Sequence, residues 1–341
     1  MKYFVFILIF LLIAVSFVAW LLFRRHLKRS FLQMQFFSEF VREHEKSETR
    51  ILFSGLIINK VINLIATLPP KHSKKMLNWL RAGKWQHIHR VLAKLHQDIA
   101  IGFMAHFEPD MALQIIEKQQ KHNPLGKTAI FTSAILAAQQ ANASQLAEKL
   151  NLLKKIRLNG FEKAVYLQLK GRLDMYRGDF KPASKNLYKA GCLFRRKKQS
   201  MEEAQTWLII GEIYRYCQYD DAAFMMYDTA QKIYEHINYV SAMARIAALK
   251  GAILAKSGQF TQSSSYFYQA SVIFKEKGLI AQRIDVLHQM ALLSLALGRY
   301  VSARRRLDLA KILIEKGNYS DKKAANSEIF TQLSEAKNMQ N

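Results

Sequence analysis

The sequence predicts an all-α chain, an N-terminal transmembrane helix followed by a solenoid of αα-hairpins. Three observations carry that prediction. Residues 3–23 form an apolar run in which Ser16 is the only clearly polar side chain. The residues after it are strongly basic. In the C-terminal half, small and large apolar residues return in fixed columns every 40 residues.

The run 3–23 is 21 residues long, and at a rise of ~1.5 Å per residue it spans a hydrocarbon core of ~30 Å. A cleavable signal peptide is the competing reading. Its apolar region is ~7–15 residues and ends in a small-x-small site, whereas this run ends Trp20-Leu21-Leu22-Phe23 directly before Arg24-Arg25. Only Lys2 and the α-amino group precede the run, while Arg24, Arg25, Lys28 and Arg29 follow it. The positive-inside rule then predicts a single-pass protein with its C-terminal part in the cytoplasm. Two cysteines, Cys192 and Cys217, build neither a disulfide framework nor a four-thiolate zinc site, and reduced thiols suit that compartment.

Residues 51–68 are a candidate second span, which would reverse the topology. Lys60 stands near the centre between Asn59 and Asn63, and a central Lys costs ~2.5–3.5 kcal/mol on insertion. Ser54, Asn59, Asn63 and Thr67 fall at helical spacing as one polar stripe. An amphipathic helix, packed on its neighbour or lying in the membrane interface, fits better.

Of the 341 residues, 51 are Lys or Arg and 26 are Asp or Glu, a net charge of +25. Residues 24–97 hold fifteen basic and four acidic residues, and 51–97 hold no acid at all. Beside a cytoplasmic leaflet each such cation is attracted by ~1 kcal/mol to anionic headgroups. An ordinary positive-inside flank explains the same charge. Nucleic acid is the weaker partner, because no series of stacking aromatics interleaves these cations.

The repeat columns begin with Gly171, Gly211, Gly251 and Ala291. Seven residues later stand Gly178, Gln218, Gly258 and Gly298, and twelve later Ala183, Ala223, Ser263 and Ala303. Sixteen later stand Leu187, Tyr227, Phe267 and Leu307, and nineteen later Ala190, Ala230, Ala270 and Ala310. Phe180, Phe260 and Tyr300 add an aromatic just past the turn, from which Asp220 departs. A small residue lets two helices approach, Gly ends the first helix, and two Ala seven apart share a face of the second. One hairpin cannot bury its apolar face alone, so hairpins stack.

These columns resemble the tetratricopeptide repeat (TPR), whose small–Gly–aromatic–Ala–large–Ala spacing they reproduce over 164–310. The period of 40 in place of 34 matches longer TPR variants, and the Pro that commonly closes a repeat is missing from all four. Weaker patterns precede the columns. Leu80-Arg81-Ala82-Gly83-Lys84-Trp85 with Ile88, Leu92 and Leu95 reads as a turn and a second helix. Ala112 and Ile116 before Pro124 fit another hairpin, and 134–150 is helical with a break near Asn142. The expected organisation is an anchor at 1–23, a basic juxtamembrane and amphipathic helical region at 24–70, and degenerate hairpins at 71–158. Four 40-residue repeats at 159–319 and a polar tail or capping helix at 320–341 complete it.

The resemblance implies that first-helix side chains line a groove for peptide partners. In this register they are Gln168, Arg172, Glu212, Arg215, Arg245, Lys256 and His288. The Lys/Asn/Arg clamp of chaperone-binding TPRs is not supplied at the matching positions. Residues 161–198 carry eleven basic and three acidic groups, and 199–240 carry two basic and seven acidic; a solvated surface is the commoner explanation of such alternation, and the alternative is a polarised solenoid whose basic groove takes acidic peptide segments.

No catalytic, cofactor-binding or metal residue is nominated. Gly126-Lys127-Thr128 ends like a phosphate-binding loop, but the first Gly of that motif would fall at Lys121 and no strand precedes it. His87 and His89, two apart, point to different helix faces, and His96 brings no carboxylate or Cys with it. The chain reads as a non-enzymatic scaffold that recruits cytoplasmic proteins to a membrane. Its layout is similar to that of anchored TPR proteins of bacterial inner membranes, including those that regulate lipopolysaccharide assembly, although it lacks their C-terminal paired C-x-x-C motifs. An organellar anchored TPR receptor shares the layout. The alternative is a binder of anionic lipid or nucleic acid that works through the 24–97 belt.

Overall fold

The computed structural model describes Gln35, Glu39 and residues 60–65, 68–105, 108–122 and 125–338. The apolar run 3–23, its flanking Arg24, Arg25, Lys28 and Arg29, and most of 51–68 lie outside the described residues. Among the described residues all regular elements are helical. None of these helices is long and apolar enough to cross a membrane. The described residues fall into two compact units, those up to Ala129 and those from Ile130 on.

In the first unit α1 (Pro70–Arg81) begins with Pro at N1, where a missing N–H costs nothing and φ is already helical. Gly83, at φ +64°, turns the chain into α2 (Trp85–Leu95), which buries Ile88 and Leu92 on one stripe. A short helix, α3 (Gln97–Met104), follows with every residue from Ile99 to Met104 buried. Its continuous apolar run has no helical period to mark its bounds within the hairpins expected over 71–158. Helix α4 (Pro109–His122) buries Ala112 and Ile116. Residues 60–65 are helical, and Lys60 donates from Nζ to Thr128 Oγ1 at 2.8 Å, so this cation is spent on a protein partner.

Helix α5 (Lys127–Gln139) leads to α6 (Ala143–Lys154), whose N-cap Asn142 accepts from the Gln145 amide. Eight helices of near-equal length follow in pairs. They are α7 (Gly160–Tyr176) and α8 (Phe180–Arg196), then α9 (Ser200–Tyr216) and α10 (Asp220–His236). The third and fourth pairs are α11 (Val240–Lys256) with α12 (Phe260–Lys277), and α13 (Ile280–Ala296) with α14 (Tyr300–Gly317). A short 3₁₀ turn and α15 (Lys323–Asn338) come last among the described residues. Helix α7 starts with a capping box: Asn159 Oδ1 accepts from the Phe161 and Glu162 amides, and the Glu162 carboxylate accepts from the Asn159 amide.

The first column explains the close packing within each pair. A Cβ on Gly171 would lie 2.6 Å from Leu187 Cγ, and one on Gly211 would lie 2.5 Å from Tyr227 Cε1. A Cβ on Gly251 would lie 3.0 Å from the Phe267 ring. The large residue of the second helix therefore rests on bare backbone of the first. Leu187, Tyr227, Phe267 and Leu307 are all buried, as are the four Ala of the last column. Removing such side chains from water contributes about 1.5–3 kcal/mol each for the larger ones.

All four turns within the pairs close alike. The residue at position 178, 218, 258 or 298 adopts positive φ, from 64° at Gln218 to 82° at Gly178. The next amide reaches back to the carbonyl five residues earlier, as Asp179 does to Asp174 and Arg299 to Ser294. This is a Schellman closure, which satisfies carbonyls that the helix end would leave open. The architecture is a TPR-like helical repeat. Helix α15 continues the stacking, with Ile329 and Leu333 packed on Ala291, Ala303 and Leu307.

Candidate protein-binding face

The first helices α7, α9, α11 and α13 carry all seven side chains that the resemblance nominates, and the structure divides them into three groups. Gln168 and His288 are buried. Gln168 Nε2 donates to Thr206 Oγ1 of α9 at 2.8 Å, and His288 Nε2 lies 3.0 Å from Asn326 Oδ1 of α15. Both are joints between neighbouring first helices rather than open lining. Burial pushes the His288 pKa below the ordinary histidine value, against the opposing hydrogen bond to Asn326.

Glu212, Arg245 and Lys256 are paired cations and acids. Arg245 Nη2 meets Glu212 Oε1 at 2.5 Å, and Lys256 Nζ meets Asp220 Oδ2 at 3.0 Å. Both pairs keep substantial exposure, so each contributes at most about 1 kcal/mol. Further along, Lys322, in the 3₁₀ turn before α15, meets Asp285 of α13 at 2.7 Å. The face therefore alternates in sign and is less basic than the total charge suggests.

Arg172 and Arg215 form the third group. Neither has a carboxylate partner within ion-pair distance among the described residues. Arg172 Nε is buried without a hydrogen-bond partner, and burial lowers the pKa of this guanidinium despite nearby Tyr176 and Glu212. Gln205 Oε1 is buried without a partner as well. Gln205 stands to Arg172 as Arg245 stands to Glu212, 33 residues further along in each case, so the two unsatisfied atoms belong to adjacent first helices at matching positions.

Tyr227 of α10 also reaches this region. Its hydroxyl is buried, and its pKa is pushed up to about 12 by burial first and then by the Glu212 charge, with the charge and hydrogen bond of Arg215 opposing. It is a neutral phenol. Tyr234, deeper in the same pair, is raised further by burial and by Tyr239. Leaving a buried polar atom unpaired costs about 1–3 kcal/mol, and Arg172 Nε and Gln205 Oε1 are two such atoms on successive first helices.

Sequence reasoning missed Gln205 and Tyr227. Tyr227 stands in the column of large core residues, where only its hydroxyl, absent from Leu187, Phe267 and Leu307, signals a second role. Gln205 was discoverable from the 33-residue offset that pairs Glu212 with Arg245.

The histidines of the first unit do not converge. His87 is exposed and stacks near Trp79 at 5.5 Å, and His96 is exposed, whereas His89 is half-buried and its pKa is lowered by burial and by Arg90. Among the described residues no group of three or more His, Cys, Asp or Glu side chains is arranged to hold a metal ion. Cys192 and Cys217 are both free thiols.

No protein-family model and no curated protein matches the sequence. Solved structures do match the fold. A Rap protein complexed with Competence and Sporulation Factor is 13% identical, with a TM-score of 0.59 over 83% of this chain and 87% of that one. The apo form of RapI is 15% identical, with a TM-score of 0.54 over 76% of this chain and 70% of that one. Aspartyl phosphate phosphatase F from Bacillus subtilis is 13% identical, with a TM-score of 0.51 over 84% of this chain and 85% of that one. At such identities the likeness is one of fold, a helical repeat array.

Proposed function

We propose that this chain is a scaffold that holds protein partners along the face of its first helices and presents them at a membrane. The observation that carries the reading is the pair Arg172 and Arg215 on successive first helices, neither with a carboxylate at ion-pair distance among the described residues. An acidic side chain of a bound peptide would meet these two guanidiniums. The Rap protein crystallised with Competence and Sporulation Factor supports the reading to the extent that a helical array of this fold accommodates a bound factor.

The membrane part of the proposal rests on the sequence. The apolar run 3–23, followed by Arg24, Arg25, Lys28 and Arg29, favours a single-pass anchor with the repeats on the cytoplasmic side, in a bacterial inner membrane or an organellar one. The 40-residue TPR variant is the family reading that accompanies it.

The test is retention of partners by the full chain carrying Arg172→Glu and Arg215→Glu, after crosslinking in membranes and identification of co-purified proteins. The proposal predicts that partners held by the wild-type chain are lost. Retention of every partner contradicts it.

A second reading keeps one specific observation. Lys71, Lys74, Lys75, Lys84, Arg90 and Lys94 are all exposed on or beside α1 and α2, and residues 60–97 contain no Asp or Glu. That surface suits anionic lipid headgroups, or less well a nucleic acid. Steeply salt-dependent binding of the full chain to anionic vesicles or RNA supports it.

A further inference from the structure

Lys170 and Lys250 hold the same register two repeats apart, yet their surroundings differ. Lys250, on α11, is 3% exposed. Its Nζ meets Asp228 Oδ1 at 2.5 Å and Gln231 Oε1 at 2.6 Å, both on α10. The rings of Phe224 and Tyr266 lie 5.0 and 5.8 Å from the same ammonium and close the site over. At Lys250 the fold therefore holds an anion against the ammonium.

Eighty residues upstream each partner changes. Glu148 replaces Asp228, but it is directed to its neighbour Lys149 at 2.8 Å. Ser144 and Asn186 replace the two aromatic lids, and Asn186 is engaged with Asp174 at 2.7 Å. Lys170 is exposed and has no acidic partner among the described residues. Where Lys250 sits in a filled core, Lys170 faces a cleft of about 370 Å³ between α6 and α7.

The cleft has a definite chemistry. Lys154, Lys170 and Arg177 line it, and Asp174 is its one carboxylate, so three cations against one anion leave an excess of +2. Leu150 and Leu173 supply an apolar floor. Tyr166 contributes a hydroxyl whose pKa burial and the Asp174 charge raise, which keeps it a donor.

We propose that this cleft is a binding site for a phosphate monoester carried on an apolar body. The monoester bears about −1.5 to −2 at neutral pH, which matches the excess charge, and takes the place at Lys170 that the Asp228 carboxylate holds at Lys250. Its apolar part covers Leu150 and Leu173 in place of the missing aromatic lids. The site involves none of Arg172, Gln205, Arg215 or Tyr227, so it stands or falls independently of the protein-binding face.

The test is isothermal titration of the full chain in nanodiscs with phenyl phosphate, with inorganic phosphate and phenol as separate arms. Saturable binding of phenyl phosphate is expected, weaker by about tenfold for either partial probe. Lys170→Met, a residue the register already accepts as Met290, and Arg177→Gln should each weaken it by about tenfold. Lys170→Arg should restore most of it. Ser144→Phe, which puts back the aromatic of the Lys250 site, should close the cleft. A soluble short-chain phosphatidate that competes with phenyl phosphate identifies the monoester as a lipid headgroup, and a failure to compete identifies a soluble ligand. No saturable binding, or wild-type affinity in natively folded Lys170→Met and Arg177→Gln, overturns the proposal.

Discussion

His288 Nε2 lies 3.0 Å from Asn326 Oδ1, and the pair repeats at one end of the array the geometry of Gln168 and Thr206 at the other. Each pair spans 38 residues; one joins α7 to α9 and the other α13 to α15. Between them the same register holds Leu208 with Ile246 and Ala248 with Val286. The two polar joints thus bracket apolar ones.

The His288 joint predicts a pH dependence. Burial holds the ring neutral, Asp285 works against that, and Lys322 reinforces it. Because the folded pKa lies below the unfolded one, the contribution is complete above the unfolded value of 6.5 and is lost as the pH falls from there toward the folded pKa. The melting temperature of the wild-type chain should drop between pH 7.5 and 5.5 by more than that of His288→Gln. Circular dichroism melts check this, and equal drops contradict it.

Gly211 predicts a steric penalty. Gly211→Ala places a methyl group 2.5 Å from Tyr227 Cε1 and should cost about 1–3 kcal/mol. Adding Tyr227→Leu should recover most of the loss, since Ala291 with Leu307 is the combination the fourth pair already uses. Denaturant titration of both variants measures it.

Gln218 predicts a gain. It adopts φ +64° at the turn where the other three pairs have Gly. A side chain in that region costs about 1–2 kcal/mol, partly offset by the extra freedom of an unfolded Gly. Gln218→Gly should therefore stabilise by about 0.5–1 kcal/mol, read as a higher melting temperature.

Lys250 predicts an asymmetry between two partners of one ion pair. Asp228→Ala leaves a buried ammonium without its carboxylate and should cost about 3 kcal/mol. Lys250→Met should cost much less, because Asp228 is half exposed and can be solvated, and because Ile210 and Met290 fill this register elsewhere. Equal losses in a denaturant titration contradict the argument.

The helical repeat was legible in the sequence for a physical reason. Gly171, Gly211 and Gly251 must be small because a large side chain of the facing helix sits on each, and this constraint shows in one dimension. The groove assignment was less legible. Gln168 and His288 have the right helix and register but are consumed by hydrogen bonds to Thr206 and Asn326, partners on the next helix. Ion pairs across helices were illegible for the same reason, since Glu212, Asp220 and Asp285 meet Arg245, Lys256 and Lys322 only in the fold. The bounds of helix α3 escaped because a wholly buried helix has no polar face to mark its period.

The protein-binding account is tested most directly by site-specific photo-crosslinking in native membranes. A photoreactive residue at Gln205 or Arg215, on the first-helix face, is compared with one at Tyr268 or Ile312, exposed on second helices. The account predicts discrete protein adducts at Gln205 and Arg215 that disappear with Arg172→Glu, and none at Tyr268 or Ile312. Adducts confined to the second helices, or unaffected by Arg172→Glu, contradict it.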